Sequence, residues 1–236
     1  PRSSSAASDV YKRQAFIVPF NDFGGITTNL GESNANIFRV KHSINEGSYV
    51  GGLYSDRRYE GGMGKSGGFD GLYRFNNNLK LDFQLFSSKT VEPNDTTISL
   101  SLNGHIFGKD SITSDFDGDI FSGHSLYFSL EGWKKNRALT LLYAERSPTF
   151  RVDNGYIDFN DRRQLVVTTS TMLYPNNNTF ETLSFWFGTG RVFSYDWTQL
   201  TDWIYLSHSG QMKGQFGYGI TLFAEDEFYK NILFED

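Results

Sequence analysis

Residues 79 to 86 read Leu-Lys-Leu-Asp-Phe-Gln-Leu-Phe, and residues 215 to 222 read Gln-Phe-Gly-Tyr-Gly-Ile-Thr-Leu. Successive side chains on a β-strand point to opposite faces, so each stretch has one apolar and one polar face. Working outward, the alternation recurs. In residues 35–43, Phe38 and Val40 oppose Arg39 and Lys41. In residues 68–75, Phe69, Gly71, Tyr73 and Phe75 oppose Asp70, Leu72 and Arg74. Further strands are expected at 47–56, 79–88, 96–105, 123–134, 137–146, 163–174, 180–194 and 215–223. Ile44-Asn45-Glu46, Asn76-Asn77-Asn78, Lys135-Asn136 and Pro175-Asn176-Asn177-Asn178 read as turns, because Asn tolerates left-handed backbone and caps its own chain. Residues 196–206 place Trp197, Leu200 and Ile204 at helical spacing, but Trp, Tyr and Ile favour pleated surfaces, and strand is the expectation. Residues 225–236 read as a short helix or a frayed strand.

Composition narrows the class. The chain has 236 residues, no Cys, 24 Gly, 17% aromatic and 38% hydrophobic residues. That length holds one large all-β unit or two small domains. No run approaches the roughly 18 apolar residues of a spanning helix. A β-barrel escapes that test, because half of each spanning strand is polar and faces the lumen. Without Cys there are no disulfides or thiolate zinc sites. A net charge of −5 without a basic block argues against nucleic acid as a partner. No motif calls for a cofactor.

The ends differ from the body. Residues 1–14, PRSSSAASDVYKRQ, show no alternation and look like a translated adapter. They are set aside as a non-native leader, which leaves 15–236 as the structural unit. Outer-membrane barrels typically finish on an aromatic residue, whereas this chain finishes on Asp236. The expectation is a barrel fragment cut at both ends. Long breaks at 59–67 and 107–119 alternate with short ones, as in a barrel with tight turns at one rim and long loops at the other. Strands of about 9–11 residues suit a tilted bilayer crossing. The expected fold is an all-β, antiparallel, up-and-down transmembrane β-barrel, incomplete in this chain.

Residues 34–86 carry a resemblance. Arg39, the segment Val50-Gly51-Gly52-Leu53-Tyr54-Ser55-Asp56-Arg57, Asp70, Tyr73-Arg74-Phe75 and the Asn-rich turn before Leu79 are similar to the C-terminal part of a bacterial family, domain of unknown function 5916. The likeness continues more weakly through Asp153-Asn154-Gly155-Tyr156 to Asp161-Arg162-Arg163. Its members join an N-terminal sandwich, similar to family-nine carbohydrate-binding modules, to a C-terminal outer-membrane-type barrel. The resemblance implies a bacterial outer-membrane location with the lipid bilayer as partner. Carbohydrate enters only through the N-terminal sandwich, which these residues do not include.

In the barrel reading, Arg39, Lys41, Asp70, Arg74, Lys80 and Asp82 face the lumen. Leu79, Leu81, Phe83, Leu85, Phe216, Tyr218, Ile220 and Leu222 face lipid. Arg or Lys toward lipid at mid-depth costs about 2–4 kcal/mol, so the charges point inward. They form either a polar conduit or, as expected here, a lumen plugged by ion pairs and water. Trp133, Trp186, Trp197 and Trp203 read as interfacial girdles, with a sandwich core as the alternative. Asp115, Asp117 and Asp119 lack the calcium-loop spacing and read as an ordinary loop. His42, His105, His124 and His208 show no metal-ligand spacing. His208 is flanked by Ser207 and Ser209, and strand neighbours point to the face opposite His208. Gly-Lys-Ser at 64–66 lacks the strand–helix setting of a phosphate loop and reads as a flexible hairpin loop. No catalytic or metal residues are assigned. The leading expectation is an outer-membrane barrel serving as anchor or pore for a larger surface protein. The alternatives are a soluble β-sandwich or lipocalin-like binder, and a membrane-embedded esterase or lipid hydrolase.

Overall fold

A computed structural model describes residues 14–19, 32–98, 106–107, 112–113, 115–155, 157, 159–229 and 232–235. His105 and most of the leader lie outside the described residues. The strands are β1 (Gln14–Pro19), β2 (Glu32–Asn45), β3 (Ser48–Tyr59), β4 (Gly62–Asn76), β5 (Leu79–Val91), β6 (Ile106–Phe107), β7 (Ile112–Thr113), β8 (Ile120–Lys134), β9 (Arg137–Arg146), β10 (Arg162–Leu173), β11 (Phe180–Phe193), β12 (Gln199–Met212), β13 (Gly217–Tyr229) and β14 (Ile232–Glu235). Among the described residues, twelve form one antiparallel sheet in the order β1-β2-β3-β4-β5-β8-β9-β10-β11-β12-β13-β14. β6 and β7 pair separately. The sheet is not closed: β1 and β14 are its two edges. The all-β antiparallel expectation holds.

Local chemistry explains the turns. Asn76 Oδ1 accepts from the Asn78 amide at 2.8 Å, and Asn177 Oδ1 accepts from the amides of Thr179 and Phe180 at 2.9 and 2.8 Å. These Asn side chains cap their own chain. Three expectations are corrected. The expected long loop at 59–67 is strand on both sides of a tight turn, Glu60-Gly61, where Gly61 takes φ +76°. Thr96–Ile98 forms a single 3-10 turn rather than the start of a strand, and residues 99–105 lie outside the described set. Residues 196–198 are a turn stabilised by Asp196, whose Oδ1 accepts from the Thr198 amide at 3.1 Å, so β12 begins only at Gln199. Beyond that turn the strand reading of 196–206 holds. β13 runs on to Tyr229, so the start of 225–236 is strand.

The described chain divides into two compact units. The first comprises 1–72, 83–126 and 146–161; the second comprises 73–82, 127–145 and 162–236. In the first, β2 pairs with β3 and β3 with β4 along nearly their full lengths. In the second, β10 to β13 pair in sequence, and the β4–β5 turn is tied to β8 by Trp133 N donating to Asn78 O at 2.8 Å.

Burial is inverted relative to a water-soluble fold. Among the described residues, five apolar side chains are buried: Ala35, Ile112, Phe121, Phe150 and Val192. Eleven polar or charged ones are buried, including Ser33, Ser55, Ser66, Asp70, Thr90 and Glu92. Large apolar residues such as Phe69, Leu206, Ile220 and Leu222 are exposed. Interiors of soluble domains favour Ile, Val, Leu and Phe, and buried polar groups are the informative exception.

Candidate functional site

Register builds the site in the second unit. Residues paired across neighbouring strands point to the same face. Thr169, Phe187, Leu206 and Leu222 form one row across β10–β13, and Thr171, Phe185, His208 and Ile220 form the next. Val167, Thr189, Ile204 and Ala224 form the row on the other side. The result is an apolar band, with Ile220 and Leu222 61% and 64% exposed. The band ends in polar groups at one side. There Arg191 grips Asp202 with two hydrogen bonds of 2.6 Å, in the row that also holds Asp226. Toward the other side, His208 lies between the Ser184 carbonyl (3.1 Å) and the Tyr218 hydroxyl (2.9 Å) and stacks on Phe185 at 4.4 Å. Both His208 nitrogens are thereby engaged. Ser207 instead shares a 3.1 Å hydrogen bond with Thr221 on the reverse face. The expected opposition of His208 and its Ser neighbours is what the strand shows.

That reverse face has a different chemistry. Its rows carry Ser170, Trp186, Ser207 and Thr221, then Thr168, Gly188, Tyr205 and Phe223, then Val166, Gly190, Trp203 and Glu225, so small polar residues there are mixed with large aromatics. Trp203 leans across β11 because two positions there lack a side chain. A Cβ on Gly190 would stand 2.4 Å from the Trp203 Nε1, and one on Gly188 would stand 3.1 Å from its ring.

In the first unit, the polar face is covered by the chain itself. Arg39 and Asp70 form a 2.6 Å ion pair, and Gly51 opposite them leaves room for it. Lys41 shares the pairing row of Gly51 and Asp70, but its ammonium sits over the Tyr49 ring at 3.5 Å. The segment 147–160, joining β9 to β10, docks on the same unit. Arg151 donates to Glu92 Oε1 at 2.8 Å and to Asp153 Oδ1 at 2.9 Å, and its amide donates to Ser88 Oγ. Asn154 Nδ2 donates to Ser55 Oγ at 2.8 Å, and Arg57 donates to the Asp153 carbonyl. Phe150 packs against Gly123, where any Cβ would meet the Phe150 backbone at 2.3 Å. Gly64 admits Asp153 in the same way, with 2.0 Å between a hypothetical Cβ and Asp153 Oδ2.

Glu92, just beyond the end of β5, is only 5% exposed. Burial pushes its carboxyl up to about 7; the Arg151 charge opposes the rise, and Asp119 and Asp117 add to it. Arg151 is itself raised: burial works against its charge, but Asp153, Tyr59 and Glu92 outweigh that cost. Asp117 and Asp119 serve their own loop, accepting from the Thr113 hydroxyl at 2.9 Å and the Thr113 amide at 3.1 Å.

The remaining predicted residues are distributed as follows. Lys80 pairs with Glu131 at 2.9 Å, and Arg74 and Lys80 each stand 5.9 Å from the Trp133 ring centre. Asp82, Leu79, Leu81, Phe83 and Leu85 are all half-buried, so the β5 stripe is neither fully exposed nor part of a dry core. Phe83 lies against Gly71. Phe216 is exposed in the turn before β13, while Tyr218, Ile220 and Leu222 share the apolar face. Trp186 and Trp197 are exposed, and Trp186 and Trp203 lie on the same reverse face of the second unit. Sequence reasoning missed Arg151, Glu92 and Arg57. The signal for them was the glycine run at 61–68, which is side-chain-free where Tyr59, Asp153 and β5 press in.

Comparison with protein-family models, curated proteins and solved structures yields no match to this chain.

Proposed function

We propose that the chain is the membrane-embedded part of a bacterial outer-membrane β-barrel and works as an anchor in the lipid bilayer. The inverted burial carries this reading: polar groups are packed away and apolar rows are left facing out. A lipid-facing band with a polar reverse face is the physical signature of a spanning strand set. A sandwich or lipocalin-like binder would instead bury its alternating apolar residues between sheets. The segment 147–160, clamped by Arg151, covers part of the first unit's polar face, which supports an anchor over a pore. Closure of the barrel requires partners for the β1 and β14 edges, because open edges are not viable in hydrocarbon. The resemblance of residues 34–86 to the barrel part of domain of unknown function 5916 points the same way, and it makes an attached surface domain the cargo of the anchor.

The absence of Cys makes a direct test simple. Single Leu222→Cys and Thr221→Cys variants of the full chain are refolded into phospholipid vesicles and labelled with a fluorophore. Brominated acyl chains should quench the label at 222 strongly and the label at 221 weakly. Equal quenching at both positions, or none at either, overturns the reading.

A further inference from the structure

The polar face of the second unit carries four large aromatic side chains that the anchor does not need. Trp186, Trp203, Tyr205 and Phe223 occupy adjoining positions on β11, β12 and β13. They border a depression of about 430 Å³ that Thr168, Phe187, Gly188 and Glu225 also line. Trp186 and Phe223 are 56% and 59% exposed, so their rings are offered to a ligand rather than packed. Trp203 is held in place: Gly188 and Gly190 give its indole a bed on β11, and any side chain at 190 would strike it. Sites with a few polar groups among apolar walls and volumes of about 300–1,000 Å³ are typical of small-ligand binding.

We propose that this groove binds a neutral oligosaccharide. The inference rests on reading this face as the barrel interior. A pyranose ring has an apolar C–H face and a rim of hydroxyls. The groove offers the complement, a mainly aromatic lining that also includes Tyr205, Thr168 and Glu225 as residues with polar groups. The hydroxyls of Ser207 and Thr221 continue the polar row next to Trp186. Among the described residues no Lys or Arg lines the depression, and Glu225 disfavours anions, so phosphorylated or acidic ligands do not fit. An acyl chain fits the opposite face, where the aliphatic rows lie, and has no use for this one's hydroxyls. The depression is open rather than enclosed, which suits a sugar chain held weakly, at about millimolar affinity.

The test uses the full chain carrying Trp133→Phe and Trp197→Phe, so that emission reports Trp186 and Trp203 alone. It is refolded in sugar-free zwitterionic micelles and titrated with maltohexaose, cellohexaose and chitohexaose to about 10 mM, well above a millimolar Kd. At least one sugar should change the emission saturably. Trp203→Ala should weaken that response at least tenfold, and Ile220→Ala on the other face should leave it unchanged. If Trp203→Ala fails to fold, Phe223→Ala, an exposed position, reads the same loss. The Leu222 label is measured in vesicles with the same chain. Lipid quenching at 222 with no response to any of the three sugars overturns the saccharide site and leaves the anchor standing. Quenching of Trp186 and Trp203 by brominated acyl chains overturns it too, because the groove would then face lipid.

Discussion

Glu92 shows how one residue couples the 147–160 segment to pH. Its carboxyl sits between Arg151, which favours the charge, and a buried setting with Asp117 and Asp119, which does not. Tyr59 and Asp153 also act on Arg151, and Arg57 stands beside them, donating to the Asp153 carbonyl. The folded value of about 7 lies above the ordinary 4.5, so the folded state holds the proton more tightly than the unfolded chain. Stability from this group is therefore full below about pH 4.5 and is lost as pH rises through about 7, by on the order of 3 kcal/mol. The urea midpoint of the chain in micelles should be lower at pH 8 than at pH 5. In Glu92→Gln, which keeps an oxygen for Arg151 but cannot ionise, that difference should shrink markedly. An undiminished difference would assign the pH dependence to other carboxylates. The glycines matter at the same scale. At Gly64 and Gly190 the issue is space rather than backbone freedom, because Asp153 and Trp203 fill the places a Cβ would take.

At the level of strands, the two faces of β12 make opposite demands. Leu206 lies in the apolar row with Phe187 and Leu222, whereas Ser209 lies on the reverse face beside Ser184 and Gly219. Leu206→Arg should reduce folding stability in vesicles by about 2–4 kcal/mol, the cost of a cation facing mid-bilayer. Ser209→Arg should cost little, because its side chain meets water or polar groups. Urea titration of both variants in the same lipid decides it, and equal losses would remove the distinction between the faces. This two-sidedness was legible in the sequence: the alternation of residues 215–222 and the Asn turns at 76–78 and 175–178 placed strands and hairpins close to where they lie. Composition misled at 59–67. Glycine and serine usually mark turns, but here they extend a strand beneath a packed segment. The docking of Asn154 on Ser55 joins residues 99 apart in sequence, and no periodicity encodes such a pairing. A lone Arg151 in a loop carries no local signal of the carboxylates that await it.

For the whole molecule, the decisive quantity is where the apolar surface lies. Water-soluble monomers rarely expose a contiguous apolar patch beyond a few hundred Å². Here Leu206, Ile220 and Leu222 in the apolar rows of β10–β13 are exposed, and Phe38, Val40, Tyr54 and Phe69 are exposed on β2–β4. Pairing places those four on one face as well, since Phe38 opposes Tyr54, Val40 opposes Gly52, and Gly52 opposes Phe69. Apolar burial is the main favourable term in folding, and this chain leaves much of it unrealised without an apolar solvent. Diluted from urea into plain buffer, the chain should therefore aggregate. Diluted into micelles or vesicles, it should gain a β-sheet circular dichroism signal and an electrophoretic mobility in dodecyl sulfate that changes on boiling. Light scattering alongside the spectra measures the partition between the two outcomes. A monodisperse, cooperatively folded monomer in buffer alone would mean that these faces are covered by protein rather than by acyl chains, and the membrane reading would fall with it.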